Sequence, residues 1–442
     1  MKMELDDGSR VGVIGGGPAG SFFAYFLLTF ADRMDMKLHV DIYEPRDFTQ
    51  PGPGGCNMCG GIVSESLIQY LATEGINLPE NVVQRGIDSY VLHTDEMDVK
   101  MGTPLNEMRI AAVHRGGGPR DTSEVKWGGL DGYLLGLARE MGAEVVGERV
   151  SDVDWDSDGR PLVKLKNDSP SYDLLVGAVG VNSSGWKLFE KLDFNYRKPK
   201  TVKTFITEIK LGYEEVTERF GSSMHLFLTN IPRVDFAAII PKGDYATACM
   251  LGYEIDQEMI DAFFNCRPVR NRFSDDWNPS QGVCHCSPKI GIKEAPVPYT
   301  DRVVLVGDCG ATRLYKDGIG AAYRTAKAAA LTAVFSGVSS EDFRKHYMPA
   351  YKRITFDNKI GWLIFHVIHV IHKLKPMTRG TLRMAQREQS LPGHKRRMSI
   401  VMWNLFTGSA PYRDVFLRSL DPRFWTKFLW ESFKSLRGPK KS

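Results

Sequence analysis

The sequence predicts an α/β fold with three parts: a parallel sheet flanked by helices, a separate mixed or antiparallel sheet, and a helical C-terminal tail. Residues 10–28 pass from an apolar strand through a glycine cluster into an amphipathic helix. Residues 200–253 show mainly strand patterns, and the chain from residue 346 onward shows mainly helical ones. We expect one domain formed by 1–195 with 285–345, a second at 196–284, and a third at 346–442.

Length and composition indicate a globular intracellular protein. The chain has 442 residues, of which 25% are charged and 43% hydrophobic, and a formal net charge of +4. This composition, with 11% aromatic residues, is unlike that of disordered or low-complexity chains. Seven cysteines without a charged-plus-apolar leader argue against a secreted disulfide scaffold. No apolar stretch reaches the roughly 18 residues of a membrane span, so we expect a cytoplasmic protein.

The glycine cluster has the order and spacing of a dinucleotide-binding turn. The motif GxGxxG follows a strand and opens a helix, and a second strand then ends at an acidic residue. The first glycine permits a tight turn, the second lets the backbone approach a pyrophosphate, and the third lets the helix pack on the sheet. The acidic residue is expected to accept hydrogen bonds from ribose hydroxyls. The residues predicted to bind the dinucleotide here are Gly15, Gly17, Pro18, Ala19, Gly20 and Glu44.

Two later segments complete a recognisable pattern. A buried strand leads into Val179-Gly-Val-Asn-Ser, and the strand 302–306 ends at Gly307-Asp308 before an Ala-rich helix. Together with the first turn, these segments resemble the FAD-binding architecture of the flavoprotein hydroxylase superfamily, over residues 10–335. The resemblance implies a Rossmann-like domain with FAD as cofactor. It also implies that Asp308 binds the ribityl chain and that Gly318 and Gly320 face the flavin.

Within that superfamily, two segments resemble the geranylgeranyl reductase family. Cys59-Gly60-Gly61-Ile62 is similar to the family's Cys-Gly-Gly, which lies close to the flavin ring. The run from Phe236 to Gly243 is similar to the family's aromatic-Pro-Lys-Gly motif in the substrate domain. The resemblance therefore implies that Cys59, Gly60 and Gly61 form the reaction site.

The chain departs from the superfamily's motifs at two places. Val179 replaces an aspartate that, in the hydroxylases, helps to hold both FAD and the nicotinamide cofactor. The electron donor therefore stays open between NADPH and a protein. After Gly307-Asp308, the usual Asn-Pro is replaced by Arg313-Leu-Tyr-Lys316. We expect these two cations near the flavin pyrimidine, where positive charge would stabilise an anionic reduced flavin.

Four cysteines are expected beside the flavin ring. They are Cys56 and Cys59 in one loop, and Cys284 and Cys286 before the Gly-Asp strand. Cys59 could donate a proton or position substrate, the four thiols could hold a metal or an iron–sulfur cluster, or Cys56 and Cys59 could form a disulfide. A fourth interpretation is that they are small buried hydrophobes. The spacing is not a recognised zinc pattern, so we assign no metal.

The C-terminal tail carries a charge opposite to that of the remaining chain. Residues 359–442 contain 17 Lys/Arg and 4 Asp/Glu, whereas the rest has a net charge of −9. Such asymmetry is typical of contact with a polyanion or an anionic membrane. His366, His369 and His372 fall near one helical face, where packing is a more common role than metal binding. Helically spaced apolar residues opposite lysines indicate a membrane-interface helix: Phe424, Trp425, Phe428, Leu429, Phe433 and Leu436. We expect peripheral membrane association and no nucleic acid partner.

These observations combine into one expected function and three alternatives. We expect an FAD-dependent oxidoreductase that reduces C=C bonds of a long-chain isoprenoid, a lipid or a quinone side chain. Hydride would come from flavin N5, with protonation of the other alkene carbon. The alternatives are a flavoprotein electron carrier to membrane quinone, a flavin-dependent monooxygenase, and a flavin-bearing interaction subunit without turnover.

Overall fold

The computed structural model describes residues 3–103, 110–121, 129–278 and 282–436, without the side chains of residues 282 and 283. The strands in these ranges are β1 (Arg10–Ile14), β2 (His39–Tyr43), β3 (Ile62–Val63), β4 (Val83–Ile87), β5 (Ser89–Thr94), β6 (Asp98–Gly102), β7 (Ile110–Val113), β8 (Glu144–Val146), β9 (Asp152–Trp155), β10 (Pro161–Lys164), β11 (Leu174–Gly177), β12 (Lys200–Lys203), β13 (Phe205–Lys210), β14 (Ser223–Leu228), β15 (Val234–Lys242), β16 (Tyr245–Gly252), β17 (Gly282–Cys286), β18 (Lys289–Lys293), β19 (Tyr299–Thr300) and β20 (Val303–Leu305).

Helices connect and cover these strands. They are α1 (Pro18–Asp32), α2 (Glu65–Thr73), α3 (Leu130–Glu140), α4 (Trp186–Glu190), α5 (Tyr213–Phe220), α6 (Gln257–Asn265), α7 (Arg267–Arg270), α8 (Gly318–Phe335), α9 (Ser340–Asp342), α10 (Met348–Lys373), α11 (Lys375–Glu388), α12 (Arg397–Thr407), α13 (Tyr412–Ser419) and α14 (Pro422–Leu436). Shorter 3-10 turns and one π-helical turn at Phe343–Tyr347 complete the helical structure of the described ranges.

The first layer is a six-stranded sheet of order β19–β20–β11–β1–β2–β8. Its pairs are parallel except β19 with β20. The apolar residues of β1 are buried because this strand lies in the sheet interior, as expected for a parallel sheet covered on its faces. Helices α1 and α8 pack together there, and the Tyr323 ring meets Phe22 and Phe26 edge-on at centroid distances of 5.6 and 5.4 Å. This layer confirms the predicted α/β fold class.

The second layer is a seven-stranded sheet of order β17–β13–β16–β15–β14–β5–β6. It is antiparallel apart from the β14–β5 pair. Strand alternation sends Phe227 and Ile239 to the side of α6, and Leu226 and Ile240 to the side of the C-terminal helices. Strands β5 and β6 come from the predicted 1–195 segment but pair in this sheet. The two sheets are therefore interleaved along the chain, and the domain limits stay a prediction.

Helices α10–α14 cover one face of the second sheet. Buried side chains of α11, α12 and α14, such as Leu382, Met402 and Phe428, share one hydrophobic cluster with Leu92 and Leu226 of that sheet. Within the described part of the chain, no helix combines the length and apolarity needed to cross a membrane.

Candidate functional site

The first glycine turn is closed by direct backbone packing. Gly15 has a φ of +107°, and a Cβ added at Gly20 would lie 1.9 Å from the Gly15 carbonyl oxygen. Gly17 immediately precedes α1, and no side chain caps the first turn of that helix. A helix N-terminus of this kind offers its N–H groups and positive dipole end to a phosphate. The packing of these glycines is therefore compatible with their predicted role in dinucleotide binding.

Glu44 lies against this turn, as its place at the end of β2 predicts. It is buried, and its Oε2 accepts a hydrogen bond from the Gly16 N–H at 3.0 Å. Its Oε1 accepts from the Arg46 Nε at 3.0 Å. Glu44 is thus held in position beside the glycine turn by a backbone donor and a guanidinium.

A second network extends from Arg46 towards the cysteine loop. Arg46 donates to the Asn57 side-chain oxygen, and Asn57 donates in turn to Asp131. Asp131 is fully buried and accepts from Arg115 at 2.5 and 3.0 Å. Arg115 also hydrogen-bonds Cys59, and these contacts outweigh burial and raise the Arg115 pKa. Arg115 therefore remains charged at the predicted reaction site.

The third glycine segment packs directly on the first. A Cβ at Gly307 would lie 2.6 Å from the Ala19 Cβ, so Gly307 contacts the start of α1. Burial raises the pKa of the adjacent Asp308, although a hydrogen bond with Thr312 and the charge of Arg115 oppose the shift. Because Arg115 acts on both Asp308 and Cys59, these two predicted site residues lie near the same cation.

The two predicted glycines of α8 lie in different surroundings. A Cβ at Gly318 would be 3.9 Å from an Asp308 side-chain oxygen, so Gly318 is beside the Gly-Asp turn. A Cβ at Gly320 would be 2.2 Å from an Asp317 side-chain oxygen, so Gly320 provides room for that carboxylate. Asp317 is itself ion-paired with Arg313 at 2.8 Å and Arg324 at 3.0 Å.

The two cations of the Arg313–Lys316 segment bind the C-terminal helices. Arg313 donates to the carbonyl oxygens of Gly408 and Ala410 at 2.9 and 2.8 Å. Lys316 donates to the Asn404 carbonyl oxygen at 2.8 Å, and burial with the nearby Arg313 charge lowers the Lys316 pKa. Both cations therefore connect the start of α8 to the α12–α13 region, a role that the sequence did not predict.

The Cys59–Gly61 loop is tightly enclosed. Gly61 has a φ of +70°, and a Cβ there would lie 2.0 Å from the Val113 carbonyl oxygen and 2.9 Å from the Lys242 Nζ. A Cβ at Gly60 would lie 2.9 Å from the Cys249 Sγ. The two glycines consequently let the loop lie directly against β7 and against side chains of β15 and β16.

A buried ion pair lies behind this loop. Lys242 is 1% exposed, and its Nζ is 3.6 Å from the Glu208 Oε1. The Thr247 hydroxyl donates to the Glu208 Oε2 at 2.7 Å. Burial alone would raise the Glu208 pKa, but Lys242 and His114 outweigh it, so the pKa is lowered. Burial and the charge of Lys242 lower the His114 pKa to about 4, so His114 is neutral near pH 7.

All seven cysteines are free thiols in the structure. Burial raises the pKa of Cys56, Cys249 and Cys286, which favours protonated thiols over thiolate ligands. Among the described residues, no group of three or more His, Cys, Asp or Glu is arranged to hold a metal ion. Free, protonated thiols agree both with a cysteine that contacts substrate or carries a proton and with small buried hydrophobes, so the role of Cys59 stays a prediction.

An apolar cavity of about 250 Å³ lies between the second sheet and the C-terminal helices. Its wall contains side chains from β14 and from α10, α11, α12, α13 and α14, including Leu228, Val367, Leu382, Val401, Leu420 and Trp425. Phe406 lines the cavity and packs against Phe236, with ring centroids 5.9 Å apart. Phe236 belongs to the same hydrophobic cluster as Cys249, which touches the Cys59–Gly61 loop. Apolar packing is therefore continuous from the cavity to this loop.

The residues present fit an FAD molecule. The packed glycine turn and the uncapped start of α1 suit a pyrophosphate. Asp308 is a half-buried carboxylate with a raised pKa, and hydroxyl donors on a ribityl chain would stabilise its charged form. The cofactor itself, and the role of each residue towards it, are expectations from the resemblance.

Sequence reasoning missed four residues of this site: Arg115, Asp131, Glu208 and Lys242. Lys242 is the lysine of the Phe236–Gly243 motif, but the resemblance assigned it no role. Glu208 becomes visible only through strand register, because Glu208 lies opposite Thr247 in the β13–β16 pair. Arg115 and Asp131 are 16 residues apart and form no recognisable motif.

Comparison with known proteins supports the resemblance. No protein-family model matches the chain. The chain is 24% identical over 341 residues to geranylgeranyl diphosphate reductase of Synechocystis, covering 73% of this chain and 74% of that protein. It is 23% identical over 383 residues to the chloroplastic geranylgeranyl diphosphate reductase of Arabidopsis thaliana, covering 79% and 74%.

A solved structure shows the same fold. It is a geranylgeranyl bacteriochlorophyll reductase-like protein of Thermoplasma acidophilum, with a TM-score of 0.65 and 13% identity, covering 97% of this chain and 100% of that one. The sequence matches and this fold agree with the family resemblance stated from the sequence. These comparisons indicate an FAD-dependent oxidoreductase that is similar to geranylgeranyl reductases in sequence and in fold.

Proposed function

We propose that the protein reduces C=C bonds in the side chain of a long-chain isoprenoid, a lipid or a quinone, using FAD. The observation that carries this proposal is the apolar cavity, whose packing continues to the Cys59–Gly61 loop through Phe406, Phe236 and Cys249. An apolar wall of this kind binds hydrocarbon by removing it from water and offers little to a polar substrate. The names of the two sequence relatives agree with an isoprenoid chain.

The proposed cofactor site extends from the first glycine turn to the cysteine loop. Gly15, Gly17, Pro18, Ala19, Gly20 and Glu44 would hold the adenosine and pyrophosphate end. Asp308 and Gly318 would bind the ribityl region, with Gly307 setting the turn and Gly320 making room for Asp317. When bound there, FAD supplies the hydride for the alkene.

The protein's own contribution at the alkene is a proton and a dry environment. An isolated alkene is a poor hydride acceptor, so a proton must reach the second carbon during the transfer. Cys59 is our candidate for the group that contacts the alkene, with Gly60 and Gly61 allowing close approach. Arg115 hydrogen-bonds Cys59, and the Lys242–Glu208 pair lies on the other side of the loop. Arg115 orients the thiol and, as a permanent cation, stabilises the thiolate left after the proton is transferred; solvent reprotonates this thiolate after product release.

We also propose that the apolar cavity fills from a membrane. Leu363, Val367, Leu420 and Trp425 line the cavity and are also among the exposed large hydrophobic side chains. The same C-terminal helices carry further exposed apolar residues: Trp362, Val370, Leu374, Leu417, Leu429, Trp430, Phe433 and Leu436. Lysine and arginine side chains interleave with them, as in helices that lie in an anionic membrane interface. An insoluble substrate could then enter without crossing water.

The function can be tested with the full chain loaded with FAD and reduced by dithionite without oxygen. Geranylgeranyl lipid in vesicles should gain two hydrogens per reduced bond, as followed by mass spectrometry. Val401→Trp, which fills the cavity, should keep its flavin but lose at least about tenfold in rate, or 1.4 kcal/mol of transition-state stabilisation. Leu331→Trp, on an exposed part of α8, is the matched control and should keep the rate. Unchanged lipid with the reduced wild-type protein would refute the proposal.

A further inference from the structure

We propose that a lysine surface beside the cysteine loop docks an acidic electron-carrier protein, an inference that rests on the proposed flavin function. We define the lysine surface by six side chains: Lys187, Lys198, Lys200, Lys203, Lys289 and Lys293. All six are exposed. They lie on α4, on the segment that follows it and on the β12–β18 ribbon, outside the basic C-terminal tail.

The ribbon places like charges opposite each other. In its register, Lys200 lies across from Lys293, and Lys203 lies across from Lys289. Like charges directly opposite in a strand pair are destabilising, so the arrangement favours an anionic partner that neutralises them. None of the six forms an ion pair within the described residues. The neighbouring Lys164 and Lys191, by contrast, are each paired with an aspartate at 2.9 Å.

The lysine surface includes a pocket that reaches the cysteine loop. The pocket has a volume of about 440 Å³, and its lining includes Lys187, Lys198, Lys289 and Met58 but no carboxylate from the described residues. Met58 directly precedes Cys59 in the sequence. Lys289 is fixed to the Asn182 side chain by backbone hydrogen bonds of 2.7 and 3.0 Å. A partner seated here would therefore lie close to the proposed reaction site on a rigid surface.

The distribution of lysines favours a protein over a small dinucleotide. Lys200, Lys203 and Lys293 do not line the pocket, so a ligand confined to it would leave their charges without compensation. The chain before residue 359 has a net charge of −9, so the charge of this patch is opposite in sign to the net charge of that part of the chain. Complementary patches of this kind steer association and set its orientation. Two reduced one-electron carriers, with two protons from water, would provide the two electrons and the protons that one alkene consumes.

The test uses a plant-type ferredoxin as the acidic probe. Its binding to the full FAD-loaded chain is measured by titration calorimetry at low and raised salt. We expect binding that weakens with salt, and at least about a tenfold loss in the double variant Lys198→Glu/Lys289→Glu. The melting temperature of this variant should not fall, because the carboxylate introduced at position 289 would face Lys203 with the opposite charge. Lys345→Glu, which changes an exposed lysine on the π-helical turn, is the control and should bind as the wild type does.

Several outcomes would overturn the proposal. The first is that ferredoxin does not bind at low salt. The second is that Lys345→Glu weakens ferredoxin binding as much as the double variant does. The third is that the double variant still binds ferredoxin but loses only NADPH binding or only binding to anionic vesicles. Dithionite separates this proposal from the function itself because it reduces flavin without a docked carrier. If the double variant loses only ferredoxin-driven lipid reduction, docking is supported. If dithionite fails to drive lipid reduction in the wild type while ferredoxin still binds, the proposed function fails and the docking surface stands.

Discussion

The first layer, with its six-stranded sheet, and the C-terminal helices α10–α14 differ in how closely they pack. In the first, Gly20 contacts the Gly15 backbone and Gly307 contacts Ala19, so not even a methyl group could be added. In the second, α10–α14 leave an apolar cavity of about 250 Å³ and expose large side chains such as Trp430. A cofactor of fixed shape calls for the first kind of packing, and a flexible hydrocarbon chain calls for the second.

The largest expected effect comes from breaking the close packing of the first region. Gly20→Ala would place a Cβ 1.9 Å from the Gly15 carbonyl oxygen. We expect a loss of stability at or above the roughly 3 kcal/mol upper range of ordinary overpacking, together with loss of flavin. Urea unfolding and the flavin-to-protein absorbance ratio measure both. Gly136→Ala, in α3 with open space around it, should instead stabilise by about 1 kcal/mol.

The next effect concerns the Lys242–Glu208 ion pair of the second sheet, which lies behind the Cys59–Gly61 loop. Lys242→Met would leave Glu208 buried without its cation, at an expected cost of about 3 kcal/mol. In the wild type, the lowered Glu208 pKa contributes stability that is present above the ordinary glutamate range and is lost as pH falls through the lowered value. In the variant, the Glu208 pKa should rise above that range and this contribution should disappear. Urea unfolding from pH 7 to pH 3 checks both. Lys242→Met/Glu208→Gln should recover most of the stability, and equal losses in both variants would contradict the pairing.

Acid should open the second sheet before the first. Burial lowers the pKa of His114 to about 4 and that of His225 to about 3, so both are neutral in the folded protein near pH 7. Each therefore stabilises the fold above its unfolded pKa of about 6.5, and that stability is lost as pH falls towards the folded value. His114 directly follows β7 and packs edge-on against Tyr245 of β16 in the second sheet, and we expect it to account for about 2 kcal/mol of this loss at pH 5. Hydrogen exchange at pH 7 and pH 5 should show faster opening of β14 than of β1, and the reverse order would contradict the assignment.

The smallest effect on stability is expected at the exposed apolar surface. Trp430→Glu changes a side chain that is 57% exposed, so the free energy of unfolding should shift by no more than about 0.5 kcal/mol. Binding to anionic vesicles in a flotation assay should nevertheless fall, because an aromatic anchor becomes an anion. Tyr253→Glu, also 57% exposed but just after β16 of the second sheet, serves as the control. Equal vesicle binding by both variants would contradict membrane docking through α14.

The sequence was most informative for functional residues that lie close together along the chain. Gly15, Gly20 and Glu44 lie within one strand–helix–strand unit, so their spacing alone predicted the turn that the structure contains. Gly307 follows a buried strand, and the resemblance assigned it to the same cofactor site as the first turn; the structure brings it against Ala19. The α/β fold class was confirmed because the strand and helix patterns that predicted it are also local in the sequence.

The sequence was least informative where partners meet through tertiary packing. Glu208 and Lys242 come together only because β13, β16 and β15 adopt one register. The amphipathic tail indicated an apolar face, but not that five helices would form a cavity against the second sheet. Arg313 and Lys316 were expected near the flavin, and the partners that they bind lie about 90 residues away in sequence.

Anaerobic reoxidation of the flavin by lipid tests the central claim most directly. The FAD-loaded protein is bleached with one equivalent of dithionite, and geranylgeranyl lipid is then added in vesicles. We predict that the oxidised flavin absorbance returns in step with the appearance of reduced lipid, and that Val401→Trp slows both. A flavin that stays bleached with the lipid but recovers its absorbance with a quinone, leaving the lipid unchanged, would contradict the account.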